Sequence, residues 1–79
     1  MNYELKTYLL VGSPSDNEDG ISRDWNMNVT TNIVGNRYSQ FYRQDTTNFN
    51  FLKTDTQSQI LEKAQIQALF FITQTYPNT

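Results

Sequence analysis

Polar and apolar positions alternate over residues 3–11, with Tyr3, Leu5, Thr7, Leu9 and Val11 on one side and Glu4, Lys6, Tyr8 and Leu10 on the other. A period of two marks a β-strand. The second set turns apolar at Tyr8 and Leu10, which implies partial cover on both sides of this strand. The alternation resumes over 25–34, where Trp25, Met27, Val29, Thr31 and Ile33 oppose Asn26, Asn28, Thr30 and Asn32. Gly35-Asn36 then reads as a two-residue hairpin turn, the glycine supplying the positive φ of a type II′ turn. That turn pairs Val34 with Arg37 and Ile33 with Tyr38 and opens a third strand over 37–45. In this register Tyr38, Gln40 and Tyr42 share the Trp25, Val29, Ile33 face, and Phe41 lies beside Thr30 on the other.

Between the first two strands, residues 12–24 are almost entirely turn chemistry, and the sequence predicts a long mobile surface loop there. Asp45-Thr46-Thr47 allows a break, after which Phe49 and Phe51 alternate with Asn48 and Asn50. Residues 48–52 are therefore either the end of a bent third strand or a short fourth one.

The period changes after residue 53. Thr54 followed three residues later by Gln57 has the form of a capping box, with Asp55 in the first turn where the helix dipole favours a carboxylate. The predicted helix runs over 55–76 and ends before Pro77. At 100° per residue, Ile60, Leu61, Ala64, Ala68, Phe71, Ile72 and Thr75 form one stripe, with Leu69 and Tyr76 at its margin. Ile66 and Phe70 lie together on the opposite side, among Gln59, Lys63, Gln67, Thr73 and Gln74. The expected fold is α+β, one small domain over 1–79 with a three- or four-stranded antiparallel sheet packed against one long C-terminal helix. A single sheet cannot cover both sides of that helix, so Ile66 and Phe70 are either covered by another segment or form a contact surface.

Composition narrows the chemistry. A chain of 79 residues has little core, and with no cysteine and no histidine it has neither disulfides nor the usual zinc ligands to reinforce it. Packing or self-association must serve instead. The same absences remove the commonest general base and the best thiol nucleophile, so a noncatalytic protein without cofactor or metal is expected. Ser15-Asp16-Asn17-Glu18-Asp19-Gly20 has the oxygen density of a calcium loop, but Ser15 holds the first ligand position and Asn26 stands where a bidentate Glu belongs. An ordinary acidic loop is the simpler reading. Asn28-Val29-Thr30 fits the glycosylation pattern without a signal peptide to make use of it.

The net charge is −2, with 6 basic and 8 acidic residues, which argues against a phosphate-binding footprint. Asn, Thr and Gln occupy 26 of the 79 positions, so recognition leans on hydrogen bonds and apolar contacts rather than electrostatic steering. The longest apolar block, 68–72, is too short to cross a bilayer, and the expected location is cytoplasmic, that of the host cell if the protein is viral. Arg37-Tyr38-Ser39-Gln40-Phe41-Tyr42-Arg43 interleaves aromatics and arginines as single-strand nucleic acid binders do. The glycines and basic flanks of an RNA-recognition motif are missing, so a structural sheet face is favoured there.

In size, acidity, lack of catalytic residue types and strand-strand-strand-helix layout, the chain resembles the small host-takeover proteins of phages and mobile elements, anti-CRISPRs among them. The resemblance covers layout, involves no motif and assigns no residue. It implies a noncatalytic protein-binding module, an inhibitor that occludes a partner surface. The candidate contact residues are Ile66, Phe70, Lys63 and Gln74 on the helix and Phe41, Arg37 and Arg43 on the sheet. The alternatives are a homo-oligomeric structural subunit, for which strands poor in lysine and proline offer open edges, and a single-stranded nucleic acid binder through Phe41, Arg37 and Arg43.

Overall fold

The structure is a computed structural model and describes residues 2–36 and 39–76. Three strands, β1 (Asn2–Asp16), β2 (Ser22–Asn36) and β3 (Ser39–Leu52), form an antiparallel sheet in the order β1-β2-β3, and α1 (Gln57–Thr75) packs across one face. This is the expected α+β architecture. The strands are much longer than predicted, and the molecule measures 49 × 23 × 21 Å. A helix of 19 residues covers only about 28 Å at 1.5 Å per residue, so it leaves part of the sheet bare.

The predicted loop over 12–24 shrinks to residues 17–21, because β1 continues to Asp16 and β2 starts at Ser22. Turn-forming residues are accommodated inside β1 as irregularities. Gly12 adopts φ +66°, the pairing jumps between Val11 and Ser15, and the indole Nε1 of Trp25 donates to the carbonyls of Val11 and Gly12 at 3.1 and 3.3 Å.

A second irregularity lies at Lys6. Tyr3 and Leu5 pair with Ile33 and Thr31, but Tyr8 and Leu10 pair with Val29 and Met27. One extra residue moves the alternation by one place. Tyr3, Leu5, Tyr8 and Leu10 therefore all face the core, whereas Leu9 and Val11, expected beside Tyr3, lie on the exposed side. The double-sided apolar character read from this strand is the signature of the bulge.

The hairpin register also differs. Ile33 pairs with Phe41, Val34 with Gln40 and Asn36 with Ser39, three residues away from the two-residue turn. An odd shift exchanges faces. Tyr42 pairs with Asn32 on the outer face, and Phe41 joins Ile33 on the helix side. The far end of the hairpin explains why. This register pairs Phe49 with Trp25 and buries Phe49 and Phe51 under the helix, whereas the predicted one would turn Gln44, Thr46, Asn48 and Asn50 into the core. Burial of two phenylalanines outweighs the local preference of a turn. Asp45-Thr46-Thr47 does not break the strand, so 48–52 is the end of β3. Arg37 and Tyr38 lie outside the described residues, as does Pro77.

The capping box is present two residues later than predicted. Thr56 is the N-cap, its hydroxyl accepting from the Gln59 N–H while the Gln59 side chain accepts from the Thr56 N–H. Asp55 instead bridges the strand exit to the helix, accepting from Leu52 N–H at 3.0 Å and from the Lys63 ammonium. The core comprises Met27, Val29, Phe49 and Phe51 from the sheet and Ala64, Ala68 and Ile72 from α1, bordered by Ile60 and Phe71. Alanine at the helix contact lets α1 lie close on the strands. Leu61, predicted in the stripe, is exposed; its carbonyl accepts from the Tyr8 hydroxyl at 3.5 Å.

Candidate protein-binding surface

The covered side of α1 is set by Ala64, Ala68 and Ile72, and helical spacing then turns Ile66 and Phe70 outward. They are 58% and 54% exposed, and Leu69, at 48%, joins them. Its place at the margin of the predicted stripe is thus corrected: Leu69 at i+3 and Phe70 at i+4 from Ile66 make a patch of three. No described element lies over it. Its two-residue form was legible in the sequence; the third member was missed because Leu69 falls between the faces.

Lys63 and Gln74 occupy the flank of α1 that also carries Gln67 and Phe70. Gln67 donates to the Thr47 hydroxyl at 3.4 Å, so this flank faces β3, and the Tyr8 bond to Leu61 places the other flank over β1. Lys63 is held by Asp55, whose carboxyl it keeps below the usual range together with the Leu52 N–H. Gln74 is exposed.

Phe41, 59% exposed, stands on the helix side of β3. It borders a groove formed with Glu4, Asn32, Ile33 and Val34. It lies near the level where the helix ends: Tyr76 stacks on Tyr3 with ring centroids 4.9 Å apart, Tyr3 pairs with Ile33, and Ile33 pairs with Phe41. Ile66 and Phe70 lie roughly two to three turns back along α1. The predicted residues that are described therefore fall in two locations, the back and β3 flank of α1 and the bare hairpin end; Arg37 lies outside the described residues.

Arg43 shares the face of Phe41 and has its Nε 3.8 Å from the Asp45 carboxylate, which also accepts from the Tyr76 hydroxyl at 2.7 Å. Burial and then this carboxylate push the Tyr76 phenol above its ordinary value. Tyr42, on the outer face, has the Lys6 ammonium 3.5 Å from its ring centroid. Arg23 and Lys53 both meet Asp16. Every described Lys and Arg therefore faces an acid or a ring, and of the described part of the aromatic–arginine stretch, Phe41 and Arg43 share the helix side while Tyr42 lies on the outer face.

The acidic turn is occupied with its own backbone. Asp19 accepts from Ile21 N–H, Ser22 N–H and the Ser22 hydroxyl at 2.7–3.0 Å, and the Ser22 hydroxyl is the leading cause of its lowered pKa. Arg23 does the same for Asp16. Among the described residues, no group of three or more acidic side chains is gathered to hold a metal, and no helix is long and apolar enough to cross a membrane.

The outer sheet face presents Asn26, Asn28, Thr30 and Asn32 opposite Asn48, Thr46, Gln44 and Tyr42. It is polar throughout its middle, with Leu9 and Val11 at the β1 border. No protein-family model matches the chain, and no curated protein or solved structure shows significant similarity to it.

Proposed function

We propose that this chain is a noncatalytic protein-binding module that acts by covering a surface of its partner, with the back of α1 as the principal contact. The single observation that carries this reading is the exposed Ile66, Leu69 and Phe70 patch, three large apolar side chains that the core does not use. Monomeric surfaces tolerate scattered apolar residues, but contiguous ones rimmed by polar side chains mark association sites. Inhibition by occlusion fits a surface whose contacts are apolar and amide in character.

Immobilised protein exposed to an extract of its native host, with bound species identified by mass spectrometry, tests this directly. Partners retained by the wild type and lost on Ile66→Ser with Phe70→Ser support it, provided the variant keeps its thermal melt. An unchanged capture profile, or an unfolded variant, removes its main support.

A further inference from the structure

The two outer edges of the sheet are built differently. β1 is broken by the Lys6 bulge and by the jump between Val11 and Ser15, and it carries Pro14, the devices that keep an edge from pairing. β3 keeps one continuous register from Gln40 to Leu52, without bulge, proline or lysine. It is a free, regular edge.

We propose that a second copy of this chain pairs antiparallel along β3. This deepens the protein-binding reading and rests on it. Charge selects the register. Antiparallel self-pairing is two-fold symmetric, and centring it on Arg43 or on Asp45 would set like charges against each other. Centring it on Gln44 places Arg43 of each copy opposite Asp45 of the other, two pairs with Cβ atoms about 5 Å apart.

The same register covers the bare hairpin end of each copy. Odd-numbered β3 residues face the helix side in both copies, so the two helices lie on one face of a six-stranded sheet. Phe41 of one copy comes to stand beside Thr47 of the second copy. Thr47 is bonded to Gln67, on the flank of α1 that carries Phe70 and Gln74. The hairpin end that α1 leaves uncovered, with Ile33 and Phe41, is thereby placed alongside the other copy's helix.

Sedimentation from micromolar to near-millimolar concentration tests the pairing, and the cysteine-free sequence makes its register testable. The expected results are a concentration-dependent dimer, weakened roughly tenfold or more by Phe41→Ser or by Arg43→Asp, and a covalent dimer on mild oxidation of Gln44→Cys. Asn48→Cys should give none, because its two copies would lie roughly 26 Å apart along the strands. Gln44, Asn48 and Phe41 are all exposed, so a retained thermal melt is expected for each variant. A monomer at every concentration overturns the proposal, as does a dimer that crosslinks equally well through either cysteine. A monomer that still captures another protein through Ile66 and Phe70 defeats this inference alone; if those residues also prove irrelevant to capture, the protein-binding reading falls with it.

Discussion

The two sides of α1 both carry large apolar residues, yet only the covered side places alanines at its centre. The covered side has Ala64 and Ala68, both fully buried, at its centre, with Ile72 buried beside them and Ile60 and Phe71 half-buried at its border. The open side carries Ile66, Leu69 and Phe70, each about half exposed. If burying apolar area were the only demand on the helix, the large residues would be expected underneath. Small residues underneath bring the helix close to Met27, Val29, Phe49 and Phe51, which already fill the sheet face. The covered side thus carries the fold, and the large residues on the open side are available for association.

Substitutions on the two sides should therefore separate stability from association. The largest effect is expected from Ala68→Glu, which buries an unpaired carboxylate where no partner waits. A cost above about 4 kcal/mol is a large share of the stability of so small a protein, and the cooperative thermal transition should disappear. A cooperative melt near the wild-type temperature would show that this side of the helix is not the packed one. Ile72→Ala tests the same side more gently. Loss of about 2–4 kcal/mol in denaturant unfolding is expected, and a change below 1 kcal/mol in that measurement would contradict close packing there.

A smaller effect, of opposite sign, lies on the sheet beneath. The Thr31 hydroxyl is fully buried and has no hydrogen-bond partner among the described residues. Thr31→Val removes the orphan at nearly constant volume and should stabilise the protein by about 1 kcal/mol. Destabilisation of that size, measured by urea unfolding, would mean that the hydroxyl has a partner after all.

The covered side contains no titratable group, so pH acts through the ends of the helix and the acidic turn. Asp16, Asp19 and Asp55 have lowered pKa values, led respectively by Arg23, the Ser22 hydroxyl and Lys63. With lowered folded-state values, the unfolded chain takes up protons first as pH falls. Their contribution is present above about pH 4 and is lost as pH drops through the folded values. Tyr76 is raised by burial and by Asp45, so its contribution is present below about pH 10 and is lost as pH rises through the raised value. Melting temperatures across this range should fall at both ends. A flat acid limb would mean that the three carboxylate contacts do not persist in solution.

Element types, their order and the exposed Ile66–Phe70 pair were legible because they follow from local periodicity. Register was not, because long-range burial decides it. Gly35-Asn36 favours a two-residue turn, but Phe49 and Phe51 at the other end of the hairpin require a pairing three residues away. The Lys6 bulge left a readable trace, apolar residues on both sides of β1, which has two explanations: double cover or a change of phase. The capping box was placed two residues early because Thr54-x-x-Gln57 and Thr56-x-x-Gln59 overlap, and only the engagement of Asp55 with Leu52 and Lys63 separates them. In the sequence Arg43 reads as part of a nucleic acid motif and Asp45 as part of a strand break; their complementarity across a symmetric edge depends on β3 being continuous and outermost.

The smallest expected effect on stability is the most informative for function. Ile66→Ser together with Phe70→Ser removes two large apolar side chains from the same helix that Ala68→Glu should unfold. Both sites are more than half exposed, and serine has nearly the helix propensity of isoleucine and phenylalanine, so denaturant unfolding should change by no more than about 1 kcal/mol. Self-association along β3 should weaken through Phe70, which faces the second copy, more than through Ile66, which points away from the sheet. Single variants followed by sedimentation resolve this: Phe70→Ser is expected to shift the monomer–dimer balance, and Ile66→Ser to leave it nearly unchanged while still reducing capture of a different partner. Equal losses from both would place the second copy over the top of the helix instead of beside it, and a loss of several kcal/mol in stability would return both side chains to the core.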